Sequence, residues 1–580
     1  MDLILPDRYE LSSSTPLGEG GMARVYPARD VLLDVPVALK VVRPELAREP
    51  NFQRRFDLEI RLSARLSHPR VVPLHDHGRT PDDLPFIGLA YADLGHLLDL
   101  RKDPPAWPEL LRLGLELLDA LGYLHARDVL HRDVKPRNVL LHEGDDGRPH
   151  VWLADLGLAS LQSVASQTIG QRVGTPGYMA PEQSLGQPRE AGPWTDLFSV
   201  GVILWELLTG HLPYAPEASP DATPLPTFVP RIDVPRGLRQ VLGNLLRPEP
   251  LGRYDLAADL ATELLALGEP DAPAGEPIDP PEPGIVAPGC PPIPPEPEAD
   301  DDAVDEPDDR ALLGLVDETK SVVPIYNRPF PEGMPATVPP PPRSRHRPPA
   351  SLQLWALREP VLLAREPQRQ AIWDVARQIA DDGQGRVVFL VGDAGSGKSY
   401  LAGDLVRTLE AGGWAESVRI GYHLDPTDRD GYAGAARQLL RPFNETPESL
   451  EARLRRRLAR ERESLDRPVA QEARDLARWC LPDEAGPTVP TGVGLRELYR
   501  HLKARQWRRL AVMVLDDVHH APPDDEGLAI PEALLQRWSE DDAAPWLVIV
   551  TIGSEELAAN PGLADRVDRA VEHGALRIVL

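Results

Sequence analysis

The stretch "HRDVKPRNVL", residues 131–140, read together with "LADLGLA" at 153–159, decides how the first half of the chain folds. Short apolar runs there carry acids, a lysine and an asparagine at close spacing. Phosphoryl transfer asks a protein for a group that orients and accepts the proton of the attacking hydroxyl, a cation on the travelling phosphate, and oxygen ligands for Mg²⁺. Asp133, Lys135 and the pair Asn138 with Asp155 meet those needs in that order.

Working outward, "PLGEGGMARVY" at 16–26 follows a strand-like opening, and its Gly18, Gly20 and Gly21 let a hairpin backbone approach a triphosphate closely. "VALK" at 37–40 sets Lys40 on a strand where its ammonium meets the α- and β-phosphates, with Val25 and Ala38 as neighbouring nucleotide contacts. Glu59, on the helical stretch that starts near Phe52, is the partner expected to hold Lys40 in position. Downstream come "GTPGYMAPEQ" at 174–183 and "TDLFSVGVILWELLTGHLPY" at 195–214, with Asp196 and Gly201, and then Arg253 placed to pair with Glu182.

With these motifs in this order, the first unit, about residues 8–267, resembles the bacterial branch of the eukaryotic-like (Hanks-type) serine/threonine protein kinases. The resemblance implies an α+β bilobal kinase fold, ATP and Mg²⁺ as cofactors, and protein substrates with Ser or Thr acceptors. It implies Asp133 as catalytic base, Lys40 and Lys135 on phosphate, and Asn138 and Asp155 on the metal. Lys135 with Thr175 is the family's pattern for Ser/Thr rather than Tyr acceptors. Arg132 beside the base implies an activation segment ordered by phosphorylation, with Ser163, Ser166 and Thr168 as candidate sites. Ala23 stands where a third glycine is common and Leu156 replaces the usual Phe, and neither departure removes a catalytic group.

A second phosphate motif follows far downstream. "FLVGDAGSGKSYLAGDL" at 389–405 matches the Walker A pattern between an apolar strand and a helix, through Gly392, Gly395, Gly397, Lys398 and Ser399. Backbone N–H groups at a helix N-terminus form the nest, Lys398 reaches the β- and γ-phosphates, and Ser399 ligates Mg²⁺. "RRLAVMVLDDVHH" at 508–520 supplies the apolar strand ending in acids that a Walker B needs, Asp516 for the Mg²⁺ shell and Asp517 to polarise the attacking water. Thr551, after "WLVIV", is placed to sense the γ-phosphate from a neighbouring strand.

This unit, from about 351 to 580, resembles the AAA+-related ATPases of the STAND kind, through "PVLLAREPQRQAIWDVA" at 360–376 and "LDDVHHA" at 515–521, with Ala364 where the family usually has glycine. Its strand-like runs predict an α/β P-loop NTPase with a parallel sheet. No lid, arginine finger or later module is identifiable, so either the sequence is part of a longer chain or the site is completed by self-association or a partner, and slow hydrolysis or simple nucleotide binding is expected. Leu450, Leu454 and Leu458 mark one stripe of a helix whose other faces are rich in arginine and glutamate; it could bind nucleic acid or a partner helix, and is read as a solvated helix with Glu–Arg pairs. His519 and His520 are adjacent, which is poor geometry for a metal, and no metal beyond Mg²⁺ is expected.

Between the two units, residues 268–350 are rich in proline and acid and poor in aromatics, the composition of a flexible, disordered linker. Its more apolar middle, 310–330, is the part expected to dock on a neighbouring domain. The 65 prolines and the formal net charge of −27 fit such a tether and argue against a main role on nucleic acid or an anionic membrane. No apolar run approaches the ~20 residues that span a bilayer, and the opening lacks a secretory signal, so a cytoplasmic protein is expected. Cys290 and Cys480 suggest neither a disulfide framework nor a thiolate metal site. Arg supplies nearly all the positive charge, yet three of the six lysines, Lys40, Lys135 and Lys398, sit in the phosphate motifs. The resulting expectation is a multidomain Ser/Thr kinase regulated by a P-loop ATPase switch; the alternative is a pseudokinase scaffold or sensor that recruits partners without moving phosphate.

Overall fold

The computed structural model describes residues 5–20, 23–47, 49–156, 160–161, 175–185, 191–214, 225–248, 250, 253–278, 330–331, 333–335, 365–422, 431–440, 446–461, 469–481, 509–521, 528, 531–532, 535 and 546–580. Gly21, Ser163, Ser166, Thr168, Cys290 and Ala364 lie outside them, as does the side chain of Leu458. The chain divides into two compact units.

The first unit opens with an antiparallel sheet built from β1 (Tyr9–Leu11), β2 (Gly18–Glu19), β3 (Ala23–Asp30), β4 (Val35–Val42), β5 (Leu74–Arg79) and β6 (Pro85–Ala90), in the order β1-β3-β4-β6-β5 with β2 on β3. Alternation along β4 sets its two faces: Val37, Leu39 and Val41 are buried with Tyr9, Ala28 and Phe86, while Ala38 and Lys40 point the other way. Helix α1 (Pro50–Arg65) packs Phe56, Ile60 and Ala64 against Val42, Leu74 and Ile87, which brings Glu59 toward the Lys40 face.

The helical part follows. It comprises α2 (Trp107–His125), the short ladders β7 (Val129–Leu130) with β10 (Ser160–Leu161) and β8 (Val139–Glu143) with β9 (Pro149–Leu153), then α3 (Pro181–Ser184), α4 (Pro193–Thr209), α5 (Leu238–Leu245) and α6 (Ala257–Ala266). Every residue of α4 from Thr195 to Thr209 is buried, as expected for a helix that is apolar on all sides. Gly201 allows α5 its close approach, since a Cβ there would stand 2.8 Å from Cβ of Leu245. Residues just past Leu267, assigned from composition to the linker, belong instead to this unit. Val234 exchanges backbone hydrogen bonds with Ala272, and Ile278 N–H donates to Phe228 O, with Ala272 and Ile278 both buried. Their small and branched side chains fill the helical core that the surrounding prolines and acids obscure in the sequence.

The second unit carries α7 (Glu366–Asp382), β11 (Arg386–Gly392), α8 (Lys398–Ala411), β12 (Ala415–Gly421), α9 (Gly431–Leu440), α10 (Pro447–Glu461), α11 (Val469–Cys480), β13 (Leu510–Asp516), β14 (Trp546–Gly553), α12 (Ser554–Ala559), α13 (Pro561–Glu572) and β15 (Leu576–Val579). The sheet is wholly parallel, in the order β12-β13-β14-β11-β15, which puts β11 and its following loop between β14 and β15. Strand β14 is buried along its whole length, and the sheet separates two apolar clusters, one against α7 and α8 and one against α9 to α11 and α13. Leu450 and Leu454 of α10 are fully buried in the second cluster, so that stripe is a core seam. From the C-terminal part of the expected linker, Phe330, Pro331 and Gly333 to Pro335 are also placed on this unit, with Phe330 and Met334 packed on the α7 and α8 cluster. Among the described residues no helix is long and apolar enough to cross a membrane.

Candidate nucleotide and phosphotransfer sites

In the first unit, Lys40 Nζ donates to Glu59 Oε1 at 2.6 Å and to Asp155 Oδ1 at 2.8 Å. Strand β4, helix α1 and the loop after β9 therefore meet at one ammonium. Burial pushes Lys40 down, but Glu59 and Asp155 more than offset it and hold its ammonium above the ordinary lysine value. Asp155 is held below the ordinary carboxylate range by Lys40, whereas burial raises Glu59 against the pull of the same lysine.

The loop bearing Asp133 is strung from the start of α4. Asp196 accepts from His131 N–H at 3.0 Å and Arg132 N–H at 2.8 Å, and its third contact is His125 Nε2 at 2.8 Å. Arg132 takes a left-handed backbone there, φ 65°. His131 Nδ1 accepts from Asp133 N–H, so Nε2 carries the proton and donates to Ala154 O at 3.0 Å, tying this loop to Asp155. Asp133 itself is 7% exposed. Its Oδ2 accepts from Lys135 Nζ at 2.6 Å and its Oδ1 from Thr175 Oγ1 at 2.7 Å, while Lys135 Nζ also donates to Thr175 Oγ1 at 2.8 Å.

Asn138 spends its amide N–H groups on Asp133, at 2.8 Å to the carbonyl and 3.2 Å to Oδ2. That leaves Asn138 Oδ1 and the Asp155 carboxylate as hard oxygen donors. Mg²⁺ needs only one or two protein oxygens besides phosphate and water, so this donor set fits it. Leu140, two positions past Asn138, packs with Leu89 and Ala92 on Val72, Ala90, Trp152 and Ala154. Sequence reasoning passed over it because an apolar residue in an apolar run carries no distinguishing mark.

In the second unit, Gly395 and Gly397 have φ of 76° and 92°, which turns the chain from β11 into α8. Lys398 Nζ donates to Gly392 O and Asp393 O, both at 2.9 Å, folding back over its own loop. Asp516 Oδ1 accepts from Ser399 Oγ at 2.8 Å and from Thr551 Oγ1 at 2.6 Å. Three residues from three motifs thus converge on one oxygen. Ser399 and Asp516 are the oxygen-bearing side chains that would hold a Mg²⁺ ion here. Asp517 has φ 54°, and its N–H donates to Thr551 Oγ1 at 2.8 Å.

His519 and His520 sit in a single helical turn, and Gly553 N–H donates to His519 Nδ1 at 3.3 Å, with burial and His520 holding the His519 ring below the ordinary histidine value. Two further contacts were not read from sequence: Arg365 Nη2 donates to Ser396 O at 3.1 Å, and Ser554 Oγ bonds the Asp393 carboxylate. The Arg-Glu pair at 365–366 was visible, but nothing in it announced a contact to the phosphate loop.

Fold and sites together define two classes of ATP-handling protein in one chain. Residues 11–228 match the protein kinase domain family and residues 361–549 match the AAA ATPase domain family. The chain accordingly joins a protein kinase domain of the serine/threonine class to an AAA ATPase domain, two domain types that use ATP with Mg²⁺. It is 35% identical over 288 residues to serine/threonine-protein kinase PknB of Mycolicibacterium smegmatis, covering 46% of this chain and 45% of that protein. It is 38% identical over 218 residues to a probable serine/threonine-protein kinase of Streptomyces coelicolor, covering 36% and 31% respectively. It spans less than half the length of these curated relatives. Among solved structures, the kinase domain of Mycobacterium tuberculosis PknI is similar at 28% identity and a TM-score of 0.36, covering 46% of this chain and 99% of that one.

Proposed function

We propose that the protein transfers the γ-phosphate of ATP to serine or threonine hydroxyls of protein substrates, and that its P-loop ATPase domain, of the STAND kind, is the nucleotide-controlled switch that governs this activity. The observation that carries the first part is the joined set of Lys40 with Glu59 and Asp155, and Asp133 with Lys135 and Thr175. Asp133 orients the acceptor hydroxyl and takes its proton as the oxygen bonds to the γ-phosphorus and the β–γ bridging oxygen leaves on ADP. Lys135 lies beside that base and meets the charge on the transferring phosphoryl group. Lys40, fixed by Glu59, holds the α- and β-phosphates. Asn138 and Asp155 would hold Mg²⁺, which neutralises phosphate charge when bound.

For the second part, the convergence of Ser399, Asp516 and Thr551 gives the Walker motifs a common focus, with Gly392, Gly395, Gly397 and Lys398 as the phosphate cradle and Asp517 as the group that polarises water. Self-association through this domain, or a partner completing its site, would raise the concentration of one kinase domain near its substrate. Phosphate incorporation into Thr-, Ser- and Tyr-containing acceptor proteins tests the catalytic reading. Transfer to Ser and Thr that disappears in Asp133→Asn supports it; equal transfer by that variant overturns it.

A further inference from the structure

Two tryptophans of the ATPase unit are capped by a piece of the tether. The Phe330 ring lies 5.5 Å from Trp373 and 5.7 Å from Trp414, which meet each other edge to face at 5.4 Å. Main-chain groups fix the register: Trp373 Nε1 donates to Pro331 O at 3.2 Å, and Met334 N–H donates to Gln370 Oε1 at 3.3 Å. Trp373 is fully buried, so its indole N–H must find an acceptor inside the protein, and the tether provides it. Pro329, Pro331 and Pro335 restrict the free segment beforehand, which lowers the entropy lost on docking.

Helix α7, which presents Gln370 and Trp373 to this segment, also holds the phosphate loop. Arg365 at its N-terminal end donates to Ser396 O at 3.1 Å. One turn on, Arg369 stands 2.9 Å from Asp404 of α8, a largely buried ion contact rather than an aligned hydrogen bond. The helix thus carries the loop contact and the tether contact about 12 Å apart on one rigid element. Lys398 must leave Gly392 O and Asp393 O to meet a phosphate, which changes the loop that Arg365 grips.

We infer that residues 330–334 are an intrachain docking segment whose hold on α7 is coupled to nucleotide at the phosphate loop, so the tether is the part through which the ATPase domain acts. This rests on the reading of that loop as a nucleotide switch. Coupling of this kind is reciprocal: nucleotide alters docking by the same factor by which docking alters nucleotide affinity.

Hydrogen exchange on the full chain, with and without Mg-ADP, tests it in the wild type, Phe330→Ala and Lys398→Ala. Exchange of 330–334 should quicken about tenfold in Phe330→Ala, since a partly buried Phe contributes on the order of one decade. In the wild type, Mg-ADP should shift exchange of 330–334 and of 365–373 together, and Lys398→Ala should abolish both shifts. Phe330→Ala should also change Lys398-dependent affinity for ADP, by up to the factor by which Mg-ADP shifts docking in the wild type. Lys398-dependent protection of 392–399 with no change at 330–334 would overturn the inference while leaving the switch reading standing. Absence of any Lys398-dependent protection at 392–399 would remove both.

Discussion

Lys40 Nζ stands 2.6 Å from Glu59 Oε1, so strand β4 and helix α1 are tied together at one ammonium, the arrangement the proposed phosphate contact needs. The same ammonium reaches Asp155 at 2.8 Å, and nucleotide phosphates would share a cation that is positioned beforehand. Lys40→Met should lower kcat/KM by about a hundredfold or more, as loss of a preorganised electrostatic donor does. Glu59→Gln should cost less, because it loosens the lysine without removing it. Steady-state kinetics on one substrate protein checks the order; a Glu59 variant worse than the Lys40 variant would contradict it.

Glu182 and Arg253 form a pair that is almost wholly out of water, with Arg253 Nη1 and Nη2 at 2.9 and 3.1 Å from the two carboxylate oxygens. Thr195 Oγ1 adds a third bond to Glu182 at 2.7 Å. Removing one member leaves a buried charge without its partner, and Glu182→Ala should destabilise the kinase domain by about 3–5 kcal/mol. Urea denaturation of the full chain, followed through the kinase transition, measures this directly. A loss under about 1 kcal/mol would mean the pair is solvated.

Two histidines give the kinase domain an acid limb above the range where carboxylates titrate. Burial, with Arg127 and Arg70 nearby, presses His68 down to about 3, although Asp119 lies 3.5 Å from its Nε2. Burial also presses His142, stacked on Trp152, down to about 4. Both values are depressed in the folded state, so the unfolded chain binds the extra protons. Their stabilisation is complete above the unfolded value of roughly 6.5 and is lost as pH falls through the window down to those folded values. At pH 5 each contributes a loss of at most about 2 kcal/mol. Stability measured from pH 7 to 4.5 should fall steadily, and the double variant His68→Gln, His142→Gln should flatten the slope. An unchanged slope would contradict this.

Much of this was legible because chemistry restricts residue type. Asp133, Asn138, Asp155, Lys398 and Ser399 each supply an atom that few other side chains supply, and order along the chain then gave the lobes and the sheet. The docking of Phe330 and the folding back of Ala272 and Ile278 were not legible in detail. Composition reports what a segment cannot bury on its own, whereas these residues are buried by surfaces contributed from elsewhere. Leu450 and Leu454 misled for a related reason: an arginine-rich helix reads as solvated until the partner helix α11 covers its apolar stripe.

Arg132 is buried, and its Nε and Nη2 have no hydrogen-bond acceptor among the described residues. A guanidinium kept dry in this way favours an anion, and phosphate on the activation segment would supply one. The chain after autophosphorylation should melt about 3 °C or more above its phosphatase-treated form, and Arg132→Ala should show no such gain. The same gain in Arg132→Ala would place the effect elsewhere.

The most direct test of a working kinase under nucleotide control is intact mass after incubation with Mg-ATP, starting from the dephosphorylated two-domain chain, for the wild type, Asp133→Asn and Lys398→Ala. The account predicts added phosphates in the wild type, none in Asp133→Asn, and a changed number or rate in Lys398→Ala. Equal phosphate gain in all three would contradict both the assigned base and the control by the second site.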